Sequence, residues 1–192
     1  MLFRLIWIVF ILVIVVGCYP AHPNLPHCRT QTPENANTQV VSKNTFNIPV
    51  DAKYAGCLIR LDQRVLLISH RLSDRLDIPG GMAQPTEALA CAAHRETFAE
   101  TGINVEVRDA LQQTANGMVI FACVADNVVN PTFFPRTAPS FAQYEASELH
   151  LHDPYLLDKD MLRFADDLIP LRDAFVITPS SIPVTQINSV SE

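Results

Sequence analysis

Glu96 and Glu100 stand one helical turn apart in a stretch, Glu87 to Glu100, made of good helix formers. A Pro79-Gly80-Gly81 breaker precedes it and Gly102 follows it. Thr86 is the expected N-cap, with Glu87 in the first turn near the positive end of the helix dipole. Gly102 suits the C′ position, where the chain turns with positive φ. At about 100° per residue the carboxylates of Glu96 and Glu100 lie about 40° apart on one face. Like charges in that relation cost stability. A hard divalent cation reverses the cost, since Mg2+ takes carboxylate oxygens and keeps several waters. A cation so held can clamp a diphosphate, screen its charge and activate a water. Without one, the pair is a solvated helix face.

Strand-like runs flank this helix. Ala55 to Arg60 and Val65 to Ser69 read as a hairpin around Asp62-Gln63-Arg64. Ile103 to Val107 alternates as a strand, and Met118 to Ala125 is almost wholly apolar. Asn130 to Ser140 holds three prolines and reads as a loop. Tyr144 to Leu151 alternates weakly, as an edge strand does, and Leu156 to about Phe175 reads as a second helix that Pro170 breaks or kinks. Strands on both sides of a central helix, followed by a late helix, describe an α/β sandwich.

Residues Gly81 to Ile103 read GMAQPTEALACAAHRETFAETGI. This stretch resembles the Nudix box, G-x5-E-x7-R-E-U-x-E-E-x-G-U, where U is aliphatic. Gly81, Glu87, Arg95, Glu96, Glu100, Gly102 and Ile103 match at the required spacing. Thr97 stands where an aliphatic residue is usual, and Ala99 replaces the first glutamate of the E-E pair. The resemblance spans roughly Ala52 to Phe175 and implies a Nudix-type α/β/α sandwich with a mixed sheet. It also implies a Mg2+- or Mn2+-dependent hydrolase that cleaves a diphosphate linkage in a nucleoside-diphosphate-linked or related substrate.

In that resemblance Glu96 and Glu100 are the catalytic and metal-binding acids, joined by the carbonyl of Gly80. Glu87 and Arg95 are similar to the family's internal ion pair, which with Gly81 and Gly102 supports the box. Ala99 removes one edge of the acidic arc, which leaves a site with fewer ions, a weaker site, or a domain that binds a ligand or partner without catalysis. Glu145, in a late strand where family members place a further acid, is a candidate fourth ligand, with Glu148 competing for the role. His70, Arg71 and Arg75 precede the box, where phosphates should arrive; arginine suits bidentate phosphate contacts, and the alternative is exposed loop residues.

The N-terminus carries a separate signal. Leu5 to Val16 are twelve consecutive apolar residues behind Arg4. The run is short for a membrane span and reads as a secretory signal. Val15-Val16-Gly17-Cys18 resembles the lipobox of bacterial lipoproteins, which implies lipidation at Cys18; an uncleaved anchor is the alternative. Either way Arg4 places the N-terminus in the cytoplasm and the domain beyond the membrane, periplasmic or otherwise extracytoplasmic. The expected organisation is residues 1–18 as signal or anchor, 19–50 as a proline-rich polar linker, 51–176 as the catalytic domain and 177–192 as a flexible tail.

None of the five cysteines forms a C-x-x-C pair, so a structural zinc site is not expected. Cys57, Cys91 and Cys123 read as small buried hydrophobes; a disulfide among them requires an oxidising compartment. His22, His27 and Cys28 read as solvated linker residues. A formal net charge of −6 suits a nucleic-acid backbone poorly. The expected partners are a small-molecule or lipid-linked diphosphate and, through the N-terminal segment, a membrane.

Overall fold

The computed structural model describes residues 24–30, 46–126 and 130–178. The N-terminal apolar run, Cys18 and residues 179–192 of the tail lie outside the described residues. Among the described residues, no helix is long and apolar enough to cross a membrane.

The alternating runs become strands β1 (Tyr54–Leu61), β2 (Arg64–His70), β3 (Arg75–Asp77) and β4 (Gly80–Met82), followed by helix α1 (Leu89–Thr101). Then come β5 (Val105–Gln113), β6 (Met118–Ala125), β7 (Arg136–Thr137), β8 (Ala146–His152) and helix α2 (Leu168–Ile177). The main path of the sheet runs β5-β6-β1-β2-β8-β7, with β3 on β2 and β4 on β1. β1 is parallel to β6, and every other pairing is antiparallel, so the sheet is mixed.

The period of two explains the layers. Ala55, Cys57 and Ile59 of β1, Leu66 and Ile68 of β2, and Val119, Phe121 and Cys123 of β6 pack on the side of Ala92 and Ala93 of α1. Leu58, Val65, Leu67, Met118 and Ile120 face the other way, against Leu168, Leu171, Ala174 and Phe175 of α2. Central strands covered on both faces are therefore apolar almost throughout.

Several expectations need correction. Thr86 is not the N-cap: its φ is +68°, and it turns the chain into a helix that starts at Leu89 behind Ala88, with no side-chain cap. Glu87 instead uses its carboxylate to accept from the Gln84 amide at 2.8 Å and to pair with Arg95. Gly102 does cap the far end, at φ +69°, and its amide donates to Phe98. The strand expected at 103–107 runs instead from Val105 to Gln113, because β6 supplies partners as far as Val119 opposite Gln113, with breaks in register between Val107 and Ala110 and between Ala110 and Gln112. β8 is not an open edge; the short β7 covers it. The second helix begins at Leu168, after single 3-10 turns at 154–156, 159–161 and 165–167. Pro170 lies in its first turn, where an amide has no helical acceptor, so it neither breaks nor kinks the helix.

The four cysteines among the described residues are paired. Cys57 on β1 is bonded to Cys123 on β6, and Cys28 is bonded to Cys91 on α1. The parallel β1-β6 pairing brings the first two together, with Ile59 opposite Cys123 and Cys57 opposite Phe121. The second bond fastens part of the expected linker onto the domain. There the Val107 amide donates to the Arg29 carbonyl at 2.9 Å, and Arg29 pairs with Asp126. Residues 24–30 are thus a strap along the outer edge of β5, not a plain tether.

Candidate functional site

Gly80 and the box glycine Gly81 form a corner where an added Cβ meets other atoms: backbone at Gly80, a side chain at Gly81. Gly80 and Gly81 pair with Gly56 and Ala55 at the start of β1. A Cβ on Gly80 would stand 2.5 Å from the Ala55 carbonyl oxygen and the Gly56 Cα. A Cβ on Gly81 would stand 2.8 Å from Cδ of Glu96. The corner therefore lies flat against α1, and both glutamates reach it. Glu100 accepts a hydrogen bond from the Gly80 amide at 2.7 Å.

The surroundings of these acids set their electrostatics. Glu100 is only 6% exposed. Burial pushes its carboxyl well above the usual range, the Gly80 amide opposes this, and the charges of Glu145, Asp77 and Glu96 add to it. Burial also raises Glu96, with Glu145 and Glu87 adding and Arg95 opposing. Arg95 makes a two-pronged contact with Glu87, from Nε at 2.9 Å and Nη2 at 2.8 Å. Its Nη2 also donates to the Met82 carbonyl at 3.0 Å and its Nη1 to Glu96. This guanidinium holds the Glu87 carboxyl below its ordinary value. It ties the loop after β4 to the helix and fixes one oxygen of Glu96.

Glu145 is exposed just before β8, and its backbone is fixed by the bond from the Arg71 amide at 2.8 Å. Its charge acts on Glu96, Glu100 and His70. Glu148, three residues on, pairs instead with His150 at 3.2 Å. Ala99 is half-buried on α1 and offers no oxygen. Among the described residues, no three His, Cys, Asp or Glu side chains are gathered closely enough to hold a metal ion unaided.

The three residues expected to meet phosphates fare differently. His70 ends β2 half-buried, with Nδ1 3.3 Å from the Ser73 hydroxyl, and burial lowers its pKa. Arg71 donates to the Gln143 carbonyl at 2.5 Å. Arg75 donates to the carbonyls of Asp160 at 2.7 Å and Leu162 at 3.5 Å. Each arginine would have to exchange these bonds to reach a ligand.

Two residues that sequence reasoning passed over lie beside the corner. Asp77 ends β3, and burial pushes its carboxyl up to about 6 against the pull of Arg163. Arg163 Nη1 stands 3.3 Å from Asp77 Oδ2. The position of Asp77 directly before Ile78-Pro79-Gly80 was a usable signal. Arg163 had none, because only the Leu76–Leu162 bridge brings it there.

The comparisons give the family and the fold. The NUDIX domain family model matches residues 51–168. A MutT-like protein of Streptomyces ambofaciens is 33% identical over 92 residues, covering 45% of this chain; the chain spans 60% of that relative's length. A NUDIX hydrolase from Nitrosomonas europaea superposes with a TM-score of 0.51 at 18% identity, over 67% of this chain and 75% of that one. An ADP-ribose pyrophosphatase from Streptococcus suis does so with a TM-score of 0.52 at 13% identity, over 67% and 92%. These structures share the fold, and the family model covers well over half of the sequence, glycine corner and acidic helix included: the chain belongs to the NUDIX domain family.

Proposed function

We propose that the chain is a hydrolase dependent on Mg2+ or Mn2+ that cleaves a diphosphate linkage. One observation carries this reading. Two carboxylates, Glu96 and Glu100, converge on the Gly80-Gly81 corner in surroundings that disfavour their charge. Glu100 has one amide donor and Glu96 shares Arg95 with Glu87, so two neighbouring acids at the corner are left short of positive charge and call for a cation. The donors are hard oxygens, which fits Mg2+ or Mn2+. Glu96, Glu100 and the Gly80 carbonyl would hold the ion, with Glu145 as a further acid. When bound, such an ion screens the diphosphate and lowers the pKa of its water. The chain's own residues orient the acids. Arg95 braces Glu96 against the corner, and the Gly80 amide directs Glu100.

Substrates to test are nucleotide sugars and ADP-ribose, dinucleotides, and lipid-linked diphosphates. The test is release of phosphate or monophosphate with and without Mg2+, for the native chain and Glu100→Gln. Mg2+-dependent release lost in the variant supports the reading. Equal background in both supports a second one, a domain that binds a ligand without turnover. Ala99 favours that alternative by leaving the acidic arc open on one side.

We also propose a membrane-associated, extracytoplasmic location. The Leu5–Val16 run and Cys18 support it, and so do two disulfides, which persist in an oxidising compartment. The mass of the mature N-terminus separates lipidated, cleaved and uncleaved forms.

A further inference from the structure

We propose that Arg163 is the side chain that binds the phosphates of the substrate, exchanging its contact with Asp77 for them. The inference rests on the diphosphate reading above and supplies the protein cation that reading lacks. Glu96, Glu100, Glu145 and Asp77 crowd the corner with negative charge. An incoming diphosphate adds more, and a guanidinium is the group best matched to phosphate oxygens.

The other arginines near the corner are committed. Arg95 is spent on Glu87, Glu96 and the Met82 carbonyl. Arg75 donates to two carbonyls, and Arg71 to one. Arg163 is anchored at its backbone and loose at its tip. Its amide donates to the Leu76 carbonyl at 2.8 Å, next to the Leu76–Leu162 bridge. Its guanidinium lies 5.0 Å from the Phe164 ring and makes one ionic contact, to Asp77, at 3.3 Å. That exceeds the roughly 2.7–2.9 Å of a well-made charged hydrogen bond. Its side chain is 40% exposed.

The placement is suitable. Asp77 is three residues before Gly80, whose amide holds Glu100. The charge of Arg163 is also felt at His70, on the strand that leads to Arg71 and the Glu145 turn. Through its contact with Asp77, the Arg163 guanidinium is held on the segment that runs directly into the Gly80 corner. Asp77 holds that guanidinium until a ligand arrives.

The experiment is calorimetric titration of the full chain with methylenediphosphonate, which cannot be hydrolysed, in the presence of Mg2+. Arg163→Gln is expected to weaken binding on the order of 10- to 100-fold, as loss of a charged hydrogen bond does. The loss should persist in the Asp77→Asn background. Arg163→Lys should recover part of the affinity and controls for folding. Native affinity in Arg163→Gln would overturn the proposal. So would a loss seen only while Asp77 is intact, because Arg163 would then merely brace that carboxylate, and so would absence of probe binding by the native chain. Probe binding that depends on Arg163 in a protein that turns over no substrate would uphold this inference and sink hydrolysis.

Discussion

Gly81 lies against Glu96 so closely that a Cβ at position 81 would stand 2.8 Å from the glutamate's Cδ. The clashing atom is the end of a flexible side chain, so Gly81→Ala should fold and move the carboxylate away. Gly80→Ala meets the backbone of Ala55 and Gly56 instead, at 2.5 Å, and should be destabilised by about 2 kcal/mol or more. Urea unfolding with a Mg2+ titration separates the two. The expected result is weakened metal binding at near-native stability for position 81, and lost stability for position 80. Equal stabilities for the two variants would contradict the corner geometry.

Thr97 is fully buried, and its Oγ1 has no hydrogen-bond partner. An orphaned hydroxyl costs about 1–3 kcal/mol of desolvation. Thr97→Val keeps the shape and removes the polar atom, so it should raise stability by about 1 kcal/mol, read as a higher urea midpoint at unchanged slope. A lowered midpoint would mean that the hydroxyl is satisfied.

Much of this site was legible beforehand because helical geometry is local. Spacing alone put Glu96 and Glu100 on one face, and Gly102 announced the helix end. Thr86 misled because Glu87 competes for the same turn through Arg95. The apolar spacing from Leu156 onward fits a helix, yet tertiary packing divides it into 3-10 turns before Leu168. The Cys57–Cys123 bond depends on a parallel register between strands about sixty residues apart, and Asp77–Arg163 on a bridge across 86 positions. Neither register is written in any window of sequence.

Asp77 makes the ion-free protein's stability fall with rising pH. Its folded pKa, about 6, exceeds the ordinary 3.8, so the folded form binds the proton more tightly than the unfolded chain does. Across that window, unfolding free energy should drop by up to about 1.4 kcal/mol per pH unit. Glu96 and Glu100 shift the same way. Glu87, held low by Arg95, acts oppositely but only in more acid solution. His70, His94 and His152, whose pKa burial lowers, act the other way over the same range, so the test is the difference between two proteins. With chelator present, the native chain should lose more stability, or gain less, between pH 5 and pH 7.5 than Asp77→Asn does. Identical pH profiles for the two would refute the assignment.

Ala99→Glu should tighten Mg2+ binding. Position 99 lies roughly 60° from Glu96, on the side away from Glu100, so a carboxylate there widens the acidic arc. The half-buried helix surface at Ala99 leaves an added side chain a route to solvent. The expected gain is about tenfold in affinity by calorimetry; an unchanged titration curve would sink the arc model.

The two disulfides should open in a fixed order under mild reductant. Cys57 and Cys123 are 0% and 1% exposed, sealed between the sheet and α1. Cys28 is exposed and Cys91 half-buried, so a thiolate can reach the strap bond without unfolding the domain. Once that bond opens, the Arg29 ion pairs and the Val107–Arg29 backbone bond hold the strap among the described residues, and such surface pairs contribute about 1 kcal/mol or less. Cys28→Ser should leave the fold intact with Tm lowered by several degrees, while Cys57→Ser should cost about 2–5 kcal/mol because it opens the core. Timed alkylation followed by peptide mass measurement reads the order. Early labelling at Cys28 and Cys91 is expected, with Cys57 and Cys123 modified only after denaturant is added. Simultaneous labelling of all four would show that the strap is integral to the core and not laid over the edge of β5.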